Sequence, residues 1–111
     1  MKKVLICLIL VLICGCSKST KKEVSLEKII EEGNYIILDV RSIHEYRDKH
    51  IENAINIPHD KIDENINLDK DKIILVYCRS GNRSQIASSK LQSLGYTTYD
   101  LGGMDEIEIF K

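Results

Sequence analysis

Two short apolar runs with no polar alternation, Tyr35-Ile36-Ile37-Leu38 and Ile73-Ile74-Leu75-Val76-Tyr77, leave this chain few architectures. A strand with one wet face alternates apolar with polar residues. An unbroken β-rich run instead belongs to a strand covered on both faces, as in a parallel sheet between helices. The surrounding segments have helical spacing. Ser25 stands as an N-cap before Leu26, Ile29 and Ile30, and Gly33-Asn34 stops the stripe, which predicts a helix over residues 26–32. Ser42-Ile43-His44-Glu45 matches a capping box, so a second helix starts there and runs to about His50. From Arg83 onward Ile86, Ala87, Leu91 and Leu94 share a face, and Gly95 closes that helix. Further strands are expected at 35–40, at 54–57 before Pro58, at 73–77 and at 96–101, with helical spacing over 60–66 and a turn at Gly102-Gly103. Strands alternating with helices predict right-handed βαβ units and an α/β domain, an open parallel sheet with helices on both faces. Ligands of such sheets bind beyond the carboxyl ends of the strands, and Cys78 follows the strongest strand directly.

The first residues follow another pattern. Met1-Lys2-Lys3 is a positive start, and Val4 to Cys14 is an apolar run of eleven residues, too short to span hydrocarbon, which takes about 20, but suited to a signal peptide. Ile13-Cys14-Gly15-Cys16 resembles the lipobox of bacterial lipoproteins. That resemblance implies a signal peptide over 1–15, lipidation at Cys16, a polar tether over 16–23 and a folded domain over 24–111. It also implies an extracytoplasmic place in the cell envelope, with the membrane as partner through the lipid. Cys7 and Cys14 would leave with the signal and Cys16 would carry lipid, so Cys78 would be the sole free thiol of the mature chain. A lone thiol outside the cytoplasm is a liability unless it reacts with something.

The formal net charge is −1 and there is no block of like charges, so the basic footprint that nucleic acid demands is missing. His44, His50 and His59 match no common metal-ligand spacing, and no metal or cofactor is expected. Tyr77 reads most simply as a strand residue, with a ring lining the pocket as the alternative, and Ser84 as a common first-turn helix serine that could also donate to a thiolate at Cys78.

The chemistry is concentrated in Cys78-Arg79-Ser80-Gly81-Asn82-Arg83. Small and polar residues between a strand and a helix can turn their N–H groups inward as an anion nest. The helix dipole and the guanidinium groups of Arg79 and Arg83 add to it, and every term favours thiolate over thiol. Gly81 suits a tight reversal that needs a positive φ.

Cys-x-x-Gly-x-Arg after a parallel strand, preceded by Leu38-Asp39-Val40-Arg41, resembles the single-domain rhodanese family. His50-Ile51 through Ala54-Ile55-Asn56-Ile57-Pro58 and the closing Leu101-Gly102-Gly103-Met104 match it too. The resemblance implies a five-stranded parallel sheet. It implies transfer of sulfane sulfur from a small sulfur-containing anion such as thiosulfate to a thiol or cyanide acceptor, through a persulfide on Cys78. Arg79 would contact the donor's anionic end, the backbone of Ser80 to Arg83 would stabilise the persulfide, and Arg83 would point back to Asp39 in a pair that fixes the loop, with Arg41 as further support. Lys49 and Asn53 stand where the family often has Gly, and Ile107 where an aromatic is common. The alternatives are a non-catalytic docking module or persulfide carrier, and a Cys-dependent phosphatase or arsenate reductase. Phosphatase loops have Cys-x5-Arg, whereas Cys78 and Arg83 enclose four residues, a tighter ring better matched to sulfur.

Overall fold

The computed structural model describes residues 25–110. Helix α1 (Leu26–Glu32) is capped by the Ser25 side chain, which accepts from the Lys28 N–H, and is stopped by Gly33 at φ 75°. Strand β1 (Tyr35–Asp39) leads into α2 (Ile43–Asp48), where the capping box between Ser42 and Glu45 is complete. A short β2 (Ile55–Asn56), β3 (Ile73–Cys78), α3 (Asn82–Ser93) and β4 (Thr97–Gly103) complete the unit.

The strands are all parallel, in the order β2-β1-β3-β4. The described residues thus form 4 strands, not the five that the family resemblance implies. After β4 the chain turns into a short 3-10 turn, Met104–Glu106.

Both faces of the sheet are covered, which explains the missing alternation. Leu38, Val40, Ile74, Val76 and Cys78 point to the side where Ala87 and Leu91 of α3 pack. Ile37, Leu75 and Tyr77 point to the other, against Ile29, Ile51 and Ile107. Each fully buried aliphatic side chain stabilises the fold by about 1.5–3 kcal/mol, so the two layers together hold β3 and the loop that follows it in place.

Two other expectations are corrected. The helix over 60–66 is only a 3-10 turn, His59–Lys61. Asp63 Oδ1 accepts from the Asn65 N–H at 2.9 Å, a local turn that competes with helical bonding, although Ile62 still reaches the core. Gly102 and Gly103 continue β4 instead of turning out of it, because a register shift opposite Val76 and Tyr77 lets Gly103 pair with Cys78. Asn53, at a position where Gly is frequent, takes φ 72°, a left-handed conformation that Asn tolerates better than most residues.

Candidate active site

Beneath the loop lies a buried polar network at the carboxyl end of β1. Asp39 is 0% exposed and Arg41 3%. The Arg41 guanidinium donates to Asp39 through Nε at 3.0 Å to each oxygen and through Nη2 at 2.7 Å, while the Arg41 backbone N–H donates to the same carboxylate at 2.8 Å. The Tyr77 hydroxyl donates to Asp39 Oδ2 at 2.8 Å and accepts from the Ile51 N–H at 3.0 Å. The Asn56 side chain closes the network on the carbonyls of Asp39 and Arg41. Burial pulls the Arg41 pKa down, but the hydrogen bonds and charge of Asp39 outweigh it and leave the group above its ordinary value. Tyr77 is pushed well above the phenol range, chiefly by burial. Its ring therefore belongs to the core under the loop.

Cys78 ends β3 and is fully buried. Gly81 takes φ 101°, and its N–H donates to Cys78 Sγ at 2.9 Å. Burial pushes the thiol up, but the Ser84 hydroxyl, acting with the N–H groups of Ser84, Gly81 and Ser80, outweighs it and the Cys78 pKa is lowered. The Ser84 hydroxyl, with one proton to give, is within reach of a second acceptor, the Gly81 carbonyl oxygen at 3.1 Å, and so ties the first turn of α3 to the loop. Asn82 opens α3 directly after Gly81. Gly103 packs under this loop: a Cβ there would lie 2.8 Å from the Arg79 carbonyl oxygen and 3.2 Å from Ser80 Cα. The closing Gly-Gly of the sequence carried that signal, masked by its reading as a turn.

The rim is organised by a residue not assigned to the site from sequence. Glu45 Oε1 accepts from Arg83 Nη1 at 2.8 Å, and Oε2 accepts from Arg83 Nη2 at 3.0 Å and from Arg79 Nε at 3.2 Å. Oε1 also accepts the Ser42 N–H of the capping box. Arg83, foremost, then the Ser42 backbone and Arg79 hold the Glu45 carboxyl far below the usual carboxylate range against its partial burial. The expected Arg83–Asp39 pair is therefore corrected: Arg83 binds Glu45, and Asp39 binds Arg41. Arg41 sits two residues from Asp39 and, with Tyr77, fills its oxygens, whereas the start of α3 faces the start of α2. The capping box was the available signal for Glu45, but a box uses one face of the carboxylate and does not reveal what the other meets.

A groove of about 820 Å³ between α1 and the edge of β4, lined by Ser25, Leu26, Ile73 and Thr97 to Asp100, lies at the amino ends of the strands. Its size does not make it the site, since the loop that polarises a sulfur is at the opposite end of β3. Residues 23–109 match the model of the rhodanese-like domain. The chain belongs to the rhodanese-like domain family. It is 36% identical over 78 residues to the thiosulfate sulfurtransferase PspE of Escherichia coli, covering 67% of this chain and 75% of PspE. It is 38% identical over 77 residues to the adenylyltransferase and sulfurtransferase uba4 of Ogataea parapolymorpha, covering 68% of this chain but only 20% of that longer protein. A solved rhodanese from E. coli, described as having anions, superposes with a TM-score of 0.60 at 31% identity, covering 66% of this chain and 91% of that one. The fold and the sulfur-transfer character of the family thus agree with the sequence motifs.

The expected signal peptide over 1–15, the expected lipidation at Cys16 and the expected tether over 16–23 lie outside the described residues; among the described residues no helix is long and apolar enough to cross a membrane.

Proposed function

We propose that this rhodanese-like domain is a sulfurtransferase that carries sulfane sulfur on Cys78, with thiosulfate as a representative donor. The observation that carries this reading is the Gly81 N–H donated to Cys78 Sγ at 2.9 Å. A merely buried thiol in an apolar core has no use for converging N–H donors, and those donors favour a thiolate. In the reaction the Cys78 thiolate attacks the outer sulfur of thiosulfate. The donor's S–S bond breaks, sulfite departs with the electron pair, and a Cys78 persulfide remains. Cyanide or a thiolate then takes the outer sulfur, and the Cys78 thiolate returns. The N–H groups of Ser80, Gly81 and Ser84 stabilise the negative sulfur at each stage, and Arg79 meets the donor's anionic end.

The likeness to a rhodanese solved with anions and to PspE, named for thiosulfate, supports this choice over phosphoryl transfer. The four residues between Cys78 and Arg83 favour it further. The full chain should convert thiosulfate and cyanide to sulfite and thiocyanate, and Cys78→Ser should not. Turnover of an aryl phosphate with none of thiosulfate would reverse the assignment. From the lipobox-like Ile13-Cys14-Gly15-Cys16 we further propose that the domain stands outside the cytoplasm on a lipid anchor. Metabolic labelling with a fatty-acid analogue should mark the wild type and not Cys16→Ser; equal labelling would exclude Cys16 as the anchor.

A further inference from the structure

We infer that Glu45 is a positioning and specificity residue of the Cys78 site: its carboxylate holds the anion place at the rim, and an anionic donor enters by taking Arg79 from it. The inference rests on the sulfur-transfer reading above and names the device that sets which donors the site accepts.

Geometry distinguishes the two arginines. Arg83 is held by both nitrogens against both oxygens of Glu45, at 2.8 and 3.0 Å, and its side chain is 29% exposed. Arg79 makes only the 3.2 Å bond, and its side chain is 64% exposed. One is clamped and the other is free to turn. Paired fork-to-fork contacts such as that of Arg83 are the strong ones, whereas a single exposed pair is worth little. Cys78 has no exposed surface, so something at the rim must move before a donor reaches Sγ. Arg79 is the least restrained charged group on that loop, and its guanidinium is the one that can swing from a carboxylate to an arriving anion without disturbing α3.

Charge gives the second half of the argument. With Glu45 ionised, the rim carries two guanidinium charges against one carboxylate, and a Cys78 thiolate brings the local sum to zero. A dianion therefore meets less net attraction than the arginines alone would offer. The pair of Arg83 with Glu45 keeps the latter's pKa depressed, so the carboxylate stays ionised, and its contribution present, at all pH above the ordinary carboxylate value; it fades only as the pH falls below that value toward the depressed one. Glu45 is thus a fixed opponent of anions through the neutral range, not a titrating switch. It discriminates by donor charge.

Glu45→Gln separates this role from helix capping, because Gln at the same position still completes a capping box while the charge is gone. The comparison uses thiosulfate, a dianion, and ethanethiosulfonate, a monoanion that delivers the same outer sulfur and releases a sulfinate. In the full chain, Glu45→Gln should lower KM for thiosulfate about fivefold, the factor of an exposed ion pair of upper strength, and shift KM for ethanethiosulfonate less. Most of the gain should be lost when Arg79→Gln is added, since Glu45 acts chiefly through Arg79, and only the long-range charge effect should remain. Without any donor, alkylation of the Cys78 peptide by iodoacetamide should move to lower pH in Glu45→Gln, and sulfate should protect Cys78 at lower concentration. Equal KM changes for both donors, or a gain undiminished without Arg79, would overturn the inference. Should Glu45→Gln not fold, Arg79→Gln alone must weaken the preference for the dianion, and an unchanged preference would count against it equally. If neither donor loads Cys78 in the wild type, the sulfur-transfer reading fails, while alkylation and sulfate protection still decide the role of Glu45.

Discussion

Two clusters of guanidinium and carboxylate, built on carboxylates that stand close together in sequence at Asp39 and Glu45, behave as opposites. Asp39 and Arg41 are sealed under the sheet end at 0% and 3% exposure, with Tyr77 and Asn56 occupying the remaining polar atoms. Glu45 with Arg79 and Arg83 faces the solvent rim. The ingredients are alike, and solvent makes the difference. Breaking a buried pair by removing one member leaves an uncompensated charge in the core, whereas an exposed pair can open and re-form at little cost. The first cluster therefore sets the shape of the strand end from which the site hangs, and the second is left able to respond to a ligand.

The largest effect should come from separating the buried pair. Asp39→Ala should destabilise the domain by about 3–5 kcal/mol, because Arg41 and the Tyr77 hydroxyl lose their partner together. In a thermal or denaturant double-mutant cycle with Arg41→Ala the effects should be strongly non-additive. Additive losses would mean that the network is not coupled and would remove the contrast between the clusters.

A smaller effect is expected at the rim. Arg83→Ala should cost less than breaking the buried pair, about 1–2 kcal/mol in stability, while impairing sulfur transfer, since the Glu45 carboxylate is then held only by Ser42 and Arg79. Arg79→Ala should leave the melting temperature unchanged and raise KM for thiosulfate. A cycle of Arg83→Ala with Asp39→Ala should be additive, because the two side chains belong to different clusters. Coupling between them would restore the pairing that the motif resemblance implied.

These clusters also show what the sequence could and could not disclose. The apolar runs Ile36-Ile37-Leu38 and Ile74-Leu75-Val76 announced doubly covered strands, since burial on both faces leaves its mark residue by residue. The capping box at Ser42 and Glu45 and the Cys78 loop were readable for the same reason: each is local, made by residues three to five positions apart. The partner of Arg83 was not readable, because a guanidinium 38 residues from Glu45 and a comparable distance from Asp39 carries no mark of which carboxylate is already occupied. The segment after Pro58 misled for another reason. Ile62 and Ile66 have helical spacing, but Asp63 satisfies the Asn65 N–H locally and the helix does not propagate. Gly103 was visible only as a glycine, since the demand for no side chain comes from the loop of Arg79 and Ser80 lying over it.

The central claim is that the Cys78 sulfur accepts a sulfur atom, and intact-mass measurement of the full chain after incubation with thiosulfate tests it most directly. The lowered Cys78 pKa raises the thiolate fraction at pH values below the ordinary thiol value, so loading there should be faster than for an ordinary thiol. The wild type should gain the mass of one sulfur atom, lose it again on addition of cyanide or a thiol, and show no gain in Cys78→Ser. A folded protein whose mass never shifts with any sulfane donor, while Cys78 remains open to alkylation, would contradict the account.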